Sequence, residues 1–437
     1  MQDKEKGSFS FINEKIKAKP LNKKRLVIRT VFVVAMAVIF GLVSALVFTY
    51  FQPKFENMLY PEEKPMVTIP KDDTEDTEEP VSESSETEET EQKDTQVESG
   101  NAGTETQGTQ KPELEIADFQ KLQNKLYAVG REANKSIVTV TGVKSDTDWF
   151  NNPYESRGQS SGIIVAENGR ELLILTERKA ITDVQEIYVT FVDDTTVEAT
   201  MKKYDGNTGI AILSVPLTGM EESTRSAIST AVLGNSLTMA QGTIVIAVGS
   251  PLGTNYSVLA GNITSTNNSI STLDSNYTVF TTNIVGSSSG SGALINVDGE
   301  VVGLVMQDYS NAEDENTLTA ISISELKTII EMLSNGADIP YIGLELSTVT
   351  SEIEREYEIP KGAYIKEIRM DSPAMAAGLQ SGDVITEMGG DTIYTVDGYE
   401  NKLLSLVPGE TVEVVIQRQG TEGYTEITCT VEVSVLQ

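Results

Sequence analysis

From residue 116 onward the chain is written in short apolar runs, each closed by Gly, Asn, Asp or Ser, and this punctuation limits the fold more than any other feature. Strand-like runs fall at 136–143, 161–165, 171–175, 186–191, 210–215, 243–248, 262–265, 278–282, 293–296 and 301–306. Many short strands at close spacing predict an all-β barrel or sandwich rather than alternating βα units. Helical periodicity is expected only near 119–132 and again at 324–334, where a helix closes the region.

Two segments ahead of this region have a different character. The run 31–51 carries no charge and is rich in Val, Ala, Phe and Leu. At about 1.5 Å per residue it reaches roughly 30 Å, the thickness of a bilayer core. Lys15, Lys17, Lys19, Lys23, Lys24, Arg25 and Arg29 precede it and acidic sequence follows. The positive-inside rule therefore predicts a cytoplasmic tail at 1–30, a single transmembrane anchor at 31–51 and an extracytoplasmic remainder. A cleaved signal peptide is the competing reading, but the run exceeds the usual h-region of about 7–15 residues and no small-x-small site follows it. The stretch 52–115 is dominated by Glu, Asp, Thr, Ser, Gln and Pro. So little apolar surface cannot offset the entropy of ordering, and a disordered, self-repelling acidic linker is expected there.

Composition excludes several kinds of function. The 437 residues carry 65 acidic against 33 basic side chains, a formal net charge of −32, which argues against a nucleic-acid partner because phosphate backbones demand clustered Lys and Arg. Cys429 is the only cysteine, so no intrachain disulfide can form. There is no histidine, which removes the usual general base near neutral pH and the commonest metal ligand. Neither a metal nor a cofactor is expected.

Several words of the β-rich region are informative when taken together. Gln159-Ser160-Ser161-Gly162-Ile163-Ile164 is similar to "GSGFII", and Leu175-Thr176 opens what resembles "LTNNHVV". Asp205 to Leu213 is similar to "DPxTDLAVL", Ala247 to Gly253 to "AIGNPFG", and Leu294 to Gly303 to "LVNxxGEVVG". In this order the words resemble the trypsin-like domain of the HtrA (DegP/DegS) family. The resemblance implies a trypsin-like double β-barrel over 116–335. It also assigns the triad positions. The histidine of the pattern falls on Lys179, the aspartate on Gly209 and the serine on Gly290. In active members an imidazole takes the serine proton, a carboxylate orients the imidazole, and backbone N–H groups hold the oxyanion. The resemblance thus identifies a degenerate member with no intact triad. A rearranged Ser/Lys site would use Ser289 or Ser291 from the hydroxyl-rich loop 287–292 as nucleophile and Lys179 as base. Such a base needs a desolvated lysine with a lowered pKa, whereas Glu177, Arg178 and Asp183 beside Lys179 suggest a solvated, charged loop. Restoring all three side chains, Lys179→His, Gly209→Asp and Gly290→Ser, is expected to allow labelling by a serine-directed reagent if the barrel aligns them.

A second resemblance covers 338–437. Tyr341-Ile342-Gly343-Leu344 looks like the carboxylate-binding loop of a PDZ domain, and Ser372 to Ile385 is similar to "SPAxxAGLxxGDVI". The resemblance implies that N–H groups near Ile342 and Gly343 hold a peptide's terminal carboxylate while the strand from Leu344 pairs with the peptide. The loop with Trp149, Phe150 and Tyr154 resembles an aromatic loop that in some HtrA proteins meets neighbouring subunits, which makes a homotrimer the implied assembly. The expected function is a membrane-anchored HtrA-like homologue without proteolysis, binding unfolded or C-terminal peptides of exported proteins in envelope quality control or signalling. An active Ser/Lys endopeptidase and an anchored structural protein are the alternatives.

Overall fold

The computed structural model describes residues 24, 28, 31–41, 43–44, 66–72, 115–147, 153–310 and 316–436. The chain divides into two units, Met1–Pro65 and Met66–Gln437. In the first, residues 31–41 and 43–44 are helical, with Val31, Phe32, Ile39 and Phe40 exposed. Among the described residues no helix is long and apolar enough to cross a membrane, so the anchor expected over 31–51 is not seen as a span. The rest of that run lies outside the described residues.

In the second unit α1 (Ile116–Ala133) leads into the barrels, its start fixed by Asp118 Oδ2 accepting from Glu115 N at 3.3 Å. Two closed six-stranded barrels follow. The first runs β1 (Ile137–Thr147), β2 (Pro153–Glu167), β3 (Glu171–Glu177), β4 (Glu186–Thr190), β5 (Thr196–Tyr204) and β6 (Ile210–Pro216), in the order β1-β2-β3-β6-β5-β4. After α2 (Glu222–Ala227) the second runs β7 (Ile244–Ser250), β8 (Ser257–Ser271), β9 (Asn276–Val285), β10 (Ser291–Ile295), β11 (Val301–Met306) and β12 (Thr317–Ser322). Its order, β10-β11-β12-β9-β8-β7, repeats that of the first barrel. The helix α3 (Ile323–Ser334) closes this part, as the sequence led us to expect.

Strands such as β3, β7, β10 and β11 read as unbroken apolar runs because both of their faces are covered. Leu172 and Ile174 pack in the core of the first barrel, while Leu173 and Leu175 point the other way into a core shared with Ile246, Val248, Ala293 and α3. Two strands escape sequence reading. In β5 only Ala199 is buried, and in β12 Thr317, Thr319 and Ser322 break the apolar run although most of the strand is buried.

A sheet with the order β14-β15-β16-β18-β19 forms the last part, built from β14 (Leu344–Thr348), β15 (Ala363–Ile368), β16 (Val384–Met388), β18 (Thr411–Gly420) and β19 (Gly423–Glu432), with β17 (Asp391–Thr392) on β16. A separate two-stranded ladder joins β13 (Pro340–Tyr341) to β20 (Ser434–Val435). Three helices, α4 (Ser351–Tyr357), α5 (Pro373–Ala376) and α6 (Val396–Leu404), complete it around a core of its own.

The stretch 52–115 is not uniformly the tether expected from composition. Residues 66–72 lie along α3. Val67 and the Asn335 amide exchange two hydrogen bonds of 2.8 Å, and Ile69 N donates to Glu331 Oε2 at 2.8 Å. Ile69 is buried in the shared core. Asp72 Oδ2 lies 2.8 Å from Lys327 Nζ, an ammonium almost wholly removed from solvent. Two apolar residues and one well-placed acid suffice to dock a segment whose average composition looks disordered. Residues 52–65 and 73–114 lie outside the described residues.

Candidate functional site

The cleft holding Lys179 and Gly209, two of the positions that the resemblance assigns to the triad, is built from the ends of β3 and β6. Their antiparallel register pairs Glu177 with Ile210, and Arg178 N donates to Gly209 O at 2.8 Å, so Lys179 and Gly209 come to line one cleft together with Thr208, Asp308 and Tyr309. Lys179 Nζ stands 2.6 Å from Glu177 Oε2 and 3.1 Å from both oxygens of Asp308. Burial alone would lower the lysine pKa, but Glu177 and Asp308 overcome it and hold the ammonium above its ordinary value. Burial pushes the Glu177 carboxyl up despite the lysine beside it. A lysine secured in its protonated form is the opposite of a general base.

No carboxylate faces Lys179 from the aspartate position. Gly209 sits there at a φ of 75°, and Asp205 is occupied with its own turn, accepting from Asn207 N, Thr208 N and the Thr208 hydroxyl at 3.0, 2.9 and 2.6 Å. In the serine loop, Gly290 N donates to Ser287 O at 2.7 Å. The N–H at the nucleophile position is one of the pair that holds an oxyanion, and here a tight turn consumes it. Ser291 is buried at the start of β10, where its hydroxyl accepts from Ser161 N at 2.9 Å and ties the two barrels together. Ser289 Oγ shares a hydrogen bond of 3.0 Å with Ser287 Oγ. Among the described residues no hydrogen bond joins Lys179 to Ser289 or Ser291. Trp149 and Phe150 lie outside the described residues.

The second candidate is the loop entering β14. Tyr341 belongs to β13, Gly343 has a φ of 98°, and Leu344 begins the edge strand β14. The second motif supports this loop from behind. Ser372 Oγ caps α5 by accepting from Met375 N at 3.2 Å, and Ala374 N donates to Ile342 O at 3.0 Å. At the motif's far end Arg418 grips the buried Asp383 with two hydrogen bonds of 2.7 and 2.8 Å. The result is three consecutive N–H groups converging on one carboxylate, that of Asp274. Its Oδ2 accepts from Ile342 N at 2.8 Å and Gly343 N at 2.7 Å, and its Oδ1 from Leu344 N at 3.1 Å and the Tyr399 hydroxyl at 2.8 Å. Burial raises the pKa of this carboxyl, against the opposing pull of the Gly343 and Ile342 N–H groups, Tyr399 and Leu344 N–H.

Sequence reasoning found the loop and missed its occupant. The segment Leu273-Asp274-Ser275-Asn276 reads as an ordinary hairpin turn, and no local signal says that its aspartate meets residues nearly seventy positions away. Tyr399, on α6, was equally silent. Among the described residues no group of three or more His, Cys, Asp or Glu could hold a metal ion.

Residues 160–304 match the trypsin-like peptidase domain family and residues 340–429 the PDZ domain family. A "probable periplasmic serine endoprotease DegP-like" of Halomonas elongata is 29% identical over 273 residues, covering 61% of this chain and 55% of the relative. A "serine protease Do-like HtrA" of Bacillus subtilis is 28% identical over 285 residues, covering 61% of this chain and 62% of the relative. The chain thus spans about half the length of the DegP-like relative. A solved structure of the HtrA-type protease AlgW with a decapeptide superposes with a TM-score of 0.52 at 17% identity, covering 71% of this chain and 99% of that one. Double barrel and carboxylate-binding loop together define a trypsin-like peptidase fold joined to a PDZ domain. Residues 160–304 thus belong to the trypsin-like peptidase domain family and residues 340–429 to the PDZ domain family, and the two together are similar to the HtrA-type proteases.

Proposed function

We propose that this protein is a membrane-anchored, extracytoplasmic HtrA-like homologue without proteolytic activity, which binds unfolded or C-terminal peptides through its PDZ domain in envelope quality control or signalling. The observation that carries the reading is the convergence of the Ile342, Gly343 and Leu344 N–H groups on a single carboxylate, the arrangement a chain terminus requires. Loss of hydrolysis is supported by Lys179, held protonated between Glu177 and Asp308, with glycine at 209 and 290. Peptides as ligands are supported by the decapeptide and tripeptide of the AlgW structures. The periplasmic naming of the DegP-like relatives supports an extracytoplasmic location, with 31–51 as the anchor and 1–30 as the cytoplasmic tail. A homotrimer is part of the same proposal and is read by analytical ultracentrifugation.

The test is exposure of residues 66–437 to a fluorophosphonate probe and to casein. Neither labelling nor turnover is expected. Labelling that disappears on Ser289→Ala or Ser291→Ala would replace this reading with the rearranged Ser/Lys endopeptidase.

A further inference from the structure

The hairpin between β8 and β9 does more than close the second barrel. Its turn is held by Thr272 N, which donates to Ser275 O at 2.9 Å, and Asp274 adopts the left-handed conformation with a φ of 64°. That conformation sends its carboxylate into the loop of Ile342, Gly343 and Leu344. The backbone joins in. Asp274 N donates to Leu344 O at 2.6 Å, and Leu346 O accepts from Ser271 Oγ at 3.3 Å and Asn276 Nδ2 at 3.4 Å. Leu344 and Leu346 are alternate residues on the open edge of β14, whose other edge pairs with β15. An added peptide strand would address these same carbonyls while its terminal carboxylate took the three N–H groups.

The turn is also preset by its own domain. Asn207 clamps it, with Nδ2 donating to Leu273 O at 2.7 Å and Oδ1 accepting from Leu273 N at 3.1 Å. Asn207 is in turn fixed by Asp205, which accepts from its N–H at 3.0 Å and lies four residues before Gly209. The hairpin reproduces both halves of peptide recognition and is braced before it meets the PDZ domain.

We propose that residues 271–276 are a resident ligand of the PDZ groove, with Asp274 standing in for a free α-carboxylate, so that an extended peptide ending in a free carboxylate binds only by displacing Asp274 and releasing the groove from the trypsin-like domain. The proposal rests on the peptide-binding reading for the identity of the competitor, but the occupancy itself is measurable without any peptide.

Both parts are tested on the full chain in detergent. Hydrogen exchange should find the amides of Ile342, Gly343 and Leu344 protected in the wild type. In Asp274→Ala they should exchange freely while amides of β16 and β18 stay protected. Asn207→Ala leaves the carboxylate in place and loosens only the brace, so it should shift the same amides in the same direction even if Asp274→Ala folds poorly. For a series of apolar C-terminal peptides, Asp274→Ala should lower Kd about tenfold or more, because the wild-type groove is open only in a minor fraction of molecules, and amidated peptides should bind neither protein. Unprotected amides in the wild type, or equal free-acid affinity for wild type and Asp274→Ala, would overturn the resident ligand. If no peptide binds either protein but the exchange pattern holds, the cap stands and the peptide-binding reading falls.

Discussion

Gly290 shows at the scale of one residue how little room the serine loop leaves for a side chain. A Cβ built there would lie 2.8 Å from both Pro251 O and Ser287 O, two backbone atoms that cannot swing aside. At Gly209 a Cβ would meet nothing, yet the φ of 75° is one an aspartate adopts only at some cost. These contacts weigh against the expectation that Lys179→His, Gly209→Asp and Gly290→Ser together permit labelling, which held only if the barrel aligns the three positions. The triple variant should remain unlabelled, and Gly290→Ser alone should lower stability by about 1–3 kcal/mol through overpacking. Chemical denaturation measures the second effect, and stoichiometric labelling of a folded triple variant would show the loop to be more compliant than its carbonyls indicate. A related constraint acts at Gly343, where a Cβ would fall 2.5 Å from Ser372 Cβ and 2.6 Å from the Tyr341 hydroxyl. Lys179 was legible because the sequence has no histidine at all. Asp274 was not, since its importance comes from the three N–H groups it meets and not from its neighbours in sequence.

Among the elements, the strap formed by residues 66–72 is the one that composition concealed. Lys327 lies on α3 with 2% of its surface exposed, and its charge is met by Asp72, which also accepts from Ser324 Oγ at 2.5 Å. Removing one partner of such a pair leaves a buried, uncompensated ion, a loss of about 3–5 kcal/mol. Asp72→Ala should therefore destabilise residues 66–437 by about that amount in urea unfolding, and the double variant with Lys327→Met should recover most of it. A loss below about 0.5 kcal/mol, the range of ordinary surface substitutions, would mean that the strap does not stay docked in solution. The same contrast explains which elements could be read in advance. Strands covered on both faces announce themselves as apolar runs, as β3 and β11 do. Strands with one poor face, such as β5, carry no such signal, and the polar outer half of β8 is long because it reaches out to the PDZ domain rather than filling a barrel.

For the molecule as a whole, the ground between the trypsin-like and PDZ parts is acidic. Glu325 from α3 and Asp397 and Glu400 from α6 line one cavity with Lys71 and Asp72, and Asp274 and Glu400 line the cavity adjoining it. Burial, reinforced by Asp397, Glu325 and Asp274, pushes the Glu400 carboxyl up to about 8, although a hydrogen bond from Ser275 opposes it. Burial also raises Glu325, whose Oε2 accepts from Thr278 N at 2.7 Å. The folded protein thus keeps protons that the unfolded chain releases at the ordinary carboxylate pKa. Where the native state binds more protons, stability falls as pH rises. The contribution of Glu400 is complete below the usual glutamate pKa, about 4.3, and is lost as the pH climbs through about 8. Because the chain has no histidine, no other side chain with an ordinary pKa titrates in this window. The melting temperature of residues 66–437 should therefore decline steadily between about pH 5 and 8, and Glu400→Gln, which keeps the shape but cannot ionise, should lessen the decline, the remainder coming from the other raised carboxyls of Glu325, Asp274 and Glu177. A wild-type profile already flat across that range would show that Glu400 is ionised throughout, and that the two parts meet with enough water between them to solvate its charge.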